Sequence, residues 1–366
     1  MAETKITQRW VASCPVVLPD GDMRPRIGLA GIGGYLPPTV LTNADLERVV
    51  DTSDEWIRRR TGIETRRILS KDETILDMAV QAATRALDDA KVRAEELNDI
   101  RVGVNTWMRF PSLATQLQDA LGAPNASASD VSAGCAGYVY AVEEAFNKVF
   151  IEKVSYGRDT IALVVGVDGL SHITNWTDRQ TCVLLGDGAG AVVLKQVDKG
   201  EILAIHTHAD GRHGGLLWSD EIIENQSNGS PKDFTHAQQG PRTYLHMDGR
   251  KVFVAAVETM VSDIRTVIAK HNEGSGDSVT VDDIDYFYPH QANLRILEAV
   301  AKRLRVPAER VYTQGIVKYG NTSAASIPLG YCDDHERFRA PSERLEIDVA
   351  FGAGFASGAI LRRVGG

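Results

Sequence analysis

Asp130-Val-Ser-Ala-Gly-Cys135-Ala-Gly-Tyr-Val-Tyr140 is the stretch on which the reading of this chain turns. The residues before it, Ala126-Ser-Ala-Ser129, read as loop and sheet edge. Those after it, Tyr138 to Phe146, are apolar at helical spacing. Cys135 is therefore expected at a strand-to-helix turn, among small residues that let the backbone bend and a ligand come close. A cysteine there meets unpaired N–H groups and the positive end of the helix dipole. Both favour the thiolate, which is the nucleophile. The competing reading is an inert, buried structural cysteine.

The rest of the composition bounds the answer. A chain of 366 residues that is 43% hydrophobic can bury a large core and has the length of about two domains. A formal net charge of −9 argues against general nucleic-acid binding. Cys14, Cys135, Cys182 and Cys332 are scattered without a CxxC pair, which fits a reducing compartment better than a disulfide framework. The apolar run Trp10 to Leu18 is broken by Ser13, Cys14 and Pro15, and no later run reaches membrane length. These features imply a cytoplasmic α/β protein with no membrane span.

Taken in order, residues 1–25 read as an extension without clear periodicity. Arg26 to Tyr35 reads as a strand running into a glycine turn; a dinucleotide motif is incomplete because Leu36 replaces the third glycine. Helices are expected over Thr42–Val50, started by Thr42 or Asn43, over Ser53–Arg60, ended by Thr61-Gly62, over Thr74 to about Ala90 and over Ser112–Leu121. Strands are expected at Asp99–Asn105 and Thr160–Gly166, and two strands around a glycine turn at Cys182–Leu194. The second half repeats this order: a strand at Ile284–Tyr288, a helix at Asn293–Leu304, a strand opening at Val311, the turn Gly320-Asn-Thr-Ser323, and a hairpin at Leu345–Leu361. The boundaries are 1–25 for the extension, 26–200 for the half carrying Cys135 and 201–366 for the half carrying His290 and Asn321. Between the halves, about 205–240 is polar and Gly-rich and reads as surface loop. Its His206, His208 and His213 raise a metal site as an alternative to loop histidines.

Cys135, His290 and Asn321 stand at three different element ends, a plausible nucleophile, base and orienter. A core histidine and a capping asparagine are the structural alternatives. Five stretches then carry a resemblance: Asp51-Thr-Ser-Asp-Glu-Trp-Ile-Arg-Arg-Arg-Thr-Gly-Ile63, Asp130 to Gly137, Gly186-Asp-Gly-Ala-Gly190, Pro289-His-Gln-Ala-Asn-Leu-Arg295 and Tyr319-Gly-Asn-Thr-Ser-Ala-Ala-Ser326. Together and in this order they resemble β-ketoacyl-acyl carrier protein synthase III, of the thiolase superfamily, over about residues 26 to 364.

The resemblance implies a thiolase-like fold: duplicated βαβ-rich halves packed as an α-β-α-β-α sandwich. It implies a decarboxylating Claisen condensation of an acyl-CoA primer with malonyl carrier protein, through an acyl group on Cys135, starting fatty acid or related chain synthesis. His290 and Asn321 would stabilise the enolate, Ala353 would supply an oxyanion-hole N–H, and Phe351 would lie beside the nucleophile. Trp56, Arg60 and Arg179 would hold CoA; Arg295, Lys302 and Arg303 would dock an acidic carrier protein, a solvated helix face being the alternative. Phe110 would reach across a homodimer interface. No metal and no cofactor is implied, the CoA thioester being a substrate. Gly352-Ala-Gly354 stands where the family has three glycines, so the Cβ of Ala353 is expected to resist positive φ and crowd the hole. Ala356-Ser-Gly358 replaces Thr-Trp-Gly, and Val254 stands where a lysine is common. Two other functions fit the same residues: an acyltransferase of secondary metabolism that moves the acyl group without decarboxylation, and a non-catalytic subunit of a condensing heterodimer.

Overall fold

A computed structural model describes residues 24–219 and 243–365. The chain enters at β1 (Ile27–Tyr35) and leaves for a ribbon, β2 (Thr39–Thr42) with β3 (Thr65–Ile68), that brackets α1 (Asn43–Leu46) and α2 (Asp54–Thr61). Helix α3 (Ile75–Ala90) leads to β4 (Asp99–Gly103), α4 (Leu113–Leu121) to β5 (Ser127–Val131), and α5 (Gly137–Tyr156) to β6 (Ala162–Gly169) and β7 (Asp187–Gln196). Of the two starts open to α1, Thr42 is the cap; the side chains of Thr42, Ser53, Thr74 and Ser112 each accept an N–H at the start of α1 to α4.

Next come β8 (Glu201–Ala209), a ribbon of β9 (Leu217–Ser219) and β10 (Leu245–Met247), and α6 (Gly249–Ser275). They are followed by β11 (Tyr286–Pro289), α7 (Leu294–Leu304), α8 (Gln314–Tyr319) and α9 (Ser326–Asp333). The hairpin β12 (Arg344–Phe351) and β13 (Ala356–Val364) completes the described chain.

Two sheets result, ordered β1-β7-β6-β4-β5 and β11-β12-β13-β8. In each, two antiparallel pairings adjoin parallel strands reached through helices. The second sheet has the order of the first with its β5 equivalent reduced to one parallel bridge, Phe287 to Val311. Helices α3 and α4 cover one face of the first sheet, α6 and α7 one face of the second. Between the sheets lie α5 and α9, whose apolar residues touch both. The result is the five-layered α-β-α-β-α arrangement.

Four expectations are corrected. Glycines 31, 33 and 34 lie inside β1 and form no turn; a Cβ on Gly33 would run into the Ala82 carbonyl of α3, so the glycines let helix and strand touch. The Gly-rich stretch from Asp187 is one long strand, β7; the residues from Cys182 to Leu184 form a turn before it, and Leu185 makes a single bridge to Asn321. Val311 opens no strand beyond its single bridge. His206 and His208 belong to β8 and not to a loop, while 220–240 lies outside the described residues.

Candidate active site

The loop carrying Cys135 is pressed against the β12–β13 turn. Gly134 has φ +57°, and a Cβ there would collide with the Ala353 amide nitrogen; one on Gly352 would collide with that of Cys135. Backbone alone fits between the two loops, so the amides of Cys135 and Ala353 lie close together. Ala353 has no positive φ; Gly354 and Phe355 take that conformation at +71° and +47°. The strain expected of an alanine at positive φ therefore does not arise.

His290 follows β11, its N–H extending the ladder to the Val349 carbonyl at 2.8 Å. The ring is buried, edge-on to Phe351 at 5.7 Å between centroids. Nδ1 lies 2.7 Å from the Ser326 hydroxyl, which also accepts the Gln291 N–H at 3.3 Å. When the hydroxyl donates to Nδ1, the neutral ring carries its proton on Nε2. Burial lowers the His290 pKa to about 3, so the ring is neutral.

Asn321 is fixed through its backbone, which bonds Leu184 at 2.8 Å and Gly186 at 2.9 Å. Its Oδ1 accepts the Ser323 N–H at 2.8 Å, which assigns Nδ2 to the opposite side of the amide.

Cys135, His290, Asn321, Phe351 and Ala353 line one cavity of about 650 Å³, with Leu170, Ile173, Leu185 and Val252 among its apolar walls. The β9 and β10 ribbon contributes Leu217, Trp218, Leu245 and Met247; the first two fall in the stretch expected to be surface loop. Burial pushes the Cys135 thiol up to about 12, opposed by the Ser323 hydroxyl and reinforced by the Asp168 carboxylate. The free thiol is therefore neutral, against the expectation that the helix end ionises it.

The other named residues fall outside that lining. Arg179 lies over the Trp56 ring at 4.7 Å and Arg60 at 5.9 Å, so the three assemble. Asn293, which lines the cavity, donates to the Arg60 carbonyl at 3.3 Å. Phe110 is fully exposed, while Met108 of the same loop lines the cavity. Arg295, Lys302 and Arg303 are exposed along α7. Among the described residues no group of three His, Cys, Asp or Glu side chains is arranged to hold a metal: His206 faces Asp263 and His213 faces Asp210, each at 3.5 Å.

The comparisons with known proteins agree with this architecture. Residues 129–211 match the family described as 3-oxoacyl-[acyl-carrier-protein (ACP)] synthase III, and residues 276–364 match its C-terminal part. A β-ketoacyl-[acyl-carrier-protein] synthase III of Geobacillus kaustophilus is 45% identical over 92% of this chain and 99% of its own length. The chain belongs to the synthase III family. The solved 3-oxoacyl-[acyl-carrier-protein] synthase III of Aquifex aeolicus is 40% identical, with a TM-score of 0.77 over 93% of this chain and 99% of its own. That of Pseudomonas aeruginosa is 34% identical, with a TM-score of 0.79 and the same coverage. This synthase III is accordingly an acyltransferase of the condensing type with the thiolase-like fold.

Sequence reading missed Ser323 and Asn105, which line the synthase III pocket, and Ser326 and Asp168, which bond to His290 and Asn105 of that lining. Asp168 left a visible signal: a carboxylate inside the otherwise apolar run Ala162–Gly169, every residue of which is buried.

Proposed function

We propose that this chain joins an acyl-CoA primer to malonyl carrier protein with loss of CO2, and that Cys135, His290 and Asn321 carry the chemistry. One observation supports this above the others: three side chains from three element ends, one from the first half and two from the second, line a single largely apolar cavity. The Cys135 sulfur attacks the primer thioester and CoA leaves. Malonyl carrier protein then enters. The Nε2–H of neutral His290 and the Nδ2–H of Asn321 donate to its thioester carbonyl, holding the enolate charge as CO2 departs. The carbanion attacks the acyl-cysteine carbonyl, whose developing oxyanion lies against the amides of Cys135 and Ala353. The apolar walls keep water from the acyl-enzyme.

Trp56, Arg60 and Arg179 are assigned to CoA, with adenine stacked on the indole. Arg295, Lys302 and Arg303 are assigned to the acidic carrier protein, and Phe110 to a homodimer interface. Intact mass of the protein with a panel of acyl-CoAs, followed by trapping of released CO2 on addition of malonyl carrier protein, tests the reading. The expected result is one acyl adduct, absent in Cys135→Ala, and stoichiometric CO2 with chain extension. An adduct that forms on Cys135 without CO2 release would instead support transfer without decarboxylation; no adduct with any acyl-CoA would support a non-catalytic subunit.

A further inference from the structure

We propose that the Cys135 thiol gives up its proton through the Ser323 hydroxyl to the carboxylate of Asp168. The inference rests on Cys135 being the nucleophile. Ser323 Oγ lies 3.4 Å from Cys135 Sγ. The same hydroxyl bears on Asp168, favouring its ionised form, while burial raises that carboxyl's pKa. Asp168 sits at the end of β6, fully buried. It accepts the backbone N–H groups of Asn105 at 2.8 Å and Thr106 at 3.0 Å, the Asn105 amide at 2.9 Å and the Thr106 hydroxyl at 2.9 Å. None of these donors is charged, so the carboxylate is fixed in place without an ion-pair partner. The Asn105 amide also reaches the Gly134 carbonyl at 3.0 Å and Ser323 Oγ at 3.3 Å, tying the nucleophile loop, the hydroxyl and the carboxylate together.

Ser323 is held in a conformation that side chains avoid. Its φ is +52°, and its N–H is locked to Asn321 Oδ1. That strain aims Oγ at the sulfur. In the resting pattern Ser323 donates to Sγ. One rotation about its C–O bond turns the hydrogen to Asp168 and presents a lone pair to the S–H.

The balance is as follows. The S–H bond breaks and its electron pair stays on sulfur. Ser323 Oγ takes that proton and passes its own to Asp168, so serine ends unchanged and the carboxyl is neutral. The sulfur attacks the primer thioester, and CoA leaves as a thiolate that is protonated in water. In the condensation the Cys135 thiolate is expelled and recovers the proton from Asp168 along the same path. During the proton transfer one negative charge occupies the site, on carboxylate or on sulfur; it leaves with CoA, so the acyl-enzyme carries none there, and it returns to the sulfur and then the carboxylate in the condensation. Ionising the thiol beside an ionised Asp168 would place two anions in a buried region, and burial together with Asp168 opposes this. Asp168 acts on Cys135 directly, and His290 and Tyr140 are the other titratable side chains lining the same cavity.

The test is the pH profile of Cys135 alkylation by iodoacetamide, followed by intact mass. A relay to an internal carboxylate makes the wild-type rate flat between about pH 6 and 8, whereas a thiol that ionises to solvent reacts about tenfold faster per pH unit. Ser323→Ala and Asp168→Asn are expected to acquire that tenfold slope, and His290→Gln to stay flat. If Asp168→Asn does not fold, Ser323→Ala carries the comparison, with its thermal midpoint as the control. A wild-type profile that already climbs tenfold per unit overturns the relay. So does a flat profile kept by folded Ser323→Ala, or one lost only in His290→Gln. If wild type takes up no acyl group on Cys135, the proposed function fails; if it loads normally and the profiles are unmoved, only the relay fails.

Discussion

His290 carries no charge in the resting site because burial holds its pKa near 3 against an ordinary 6.5. Between those values the unfolded chain binds a proton at this ring and the folded protein does not. Stability therefore rises with pH through that window and falls as the solution is made more acid, by at most about 1.4 kcal/mol per pH unit from this residue. Replacing His290 by Gln removes the term. Urea unfolding at several pH values from about 7 down to 4 should show a flatter decline for His290→Gln than for wild type; parallel curves would mean that the ring is protonated when folded. The neutral ring is also what the proposed role requires, since an imidazole whose Nδ1 is engaged by Ser326 presents Nε2–H to a substrate carbonyl. None of this could be read from Pro289-His290-Gln291 alone. The motif places the histidine at a strand end, but its tautomer depends on a serine 36 positions away.

Helix α2 was legible because its signals are local: Ser53 caps its start and Gly62 closes its end in the left-handed conformation. The strands β1 and β7 were misread because glycine has two uses that look alike in sequence. It permits turns, and it also permits close approach; in β1 and β7 the second applies, with α3 packed on Gly33 and Pro328 of α9 packed on Gly190. The histidines of β8 were taken for loop because a short polar stretch does not reveal that it pairs with β13. The caps of α2 and α7 also set the expected CoA site, since α2 presents Trp56 and the Asn293 cap of α7 holds the Arg60 carbonyl. Trp56→Ala should raise KM for acyl-CoA by about tenfold, the loss of one ring–base stack and its cation–π contact, with kcat for bound primer unchanged. Steady-state kinetics with acyl-CoA varied at saturating malonyl carrier protein provides the check; an unchanged KM would move the adenine elsewhere.

At the scale of the whole molecule, the duplication explains why the chemistry needs both halves. Cys135 lies between β5 and α5 in one half, His290 after β11 and Asn321 after α8 in the other, and all three line one cavity. The shared layer of α5 and α9 also encloses a buried charge cluster that periodicity could not foretell. Arg362 of β13 pairs with Glu346 at 2.8 Å and Asp348 at 3.2 Å, both from β12. Its guanidinium lies 4.6 Å from the ring centre of Tyr331 on α9, and Tyr331 is edge-on to Tyr138 of α5. Strand alternation puts Glu346 and Asp348 on one face, yet only the opposing sheet and helices make that face interior. Removing the cation leaves two buried carboxylates without their main partner, so Arg362→Met should cost about 3–5 kcal/mol. Because the cluster touches the central layer, the loss should appear as one unfolding transition shifted to lower urea, followed alike by tryptophan fluorescence and by protection of Cys135 from alkylation. Replacing all three charges together, Arg362→Met with Glu346→Met and Asp348→Leu, should recover most of the stability, since no unpaired charge remains. Two separate transitions in Arg362→Met would show instead that the halves fold independently and that the cluster serves the second sheet alone.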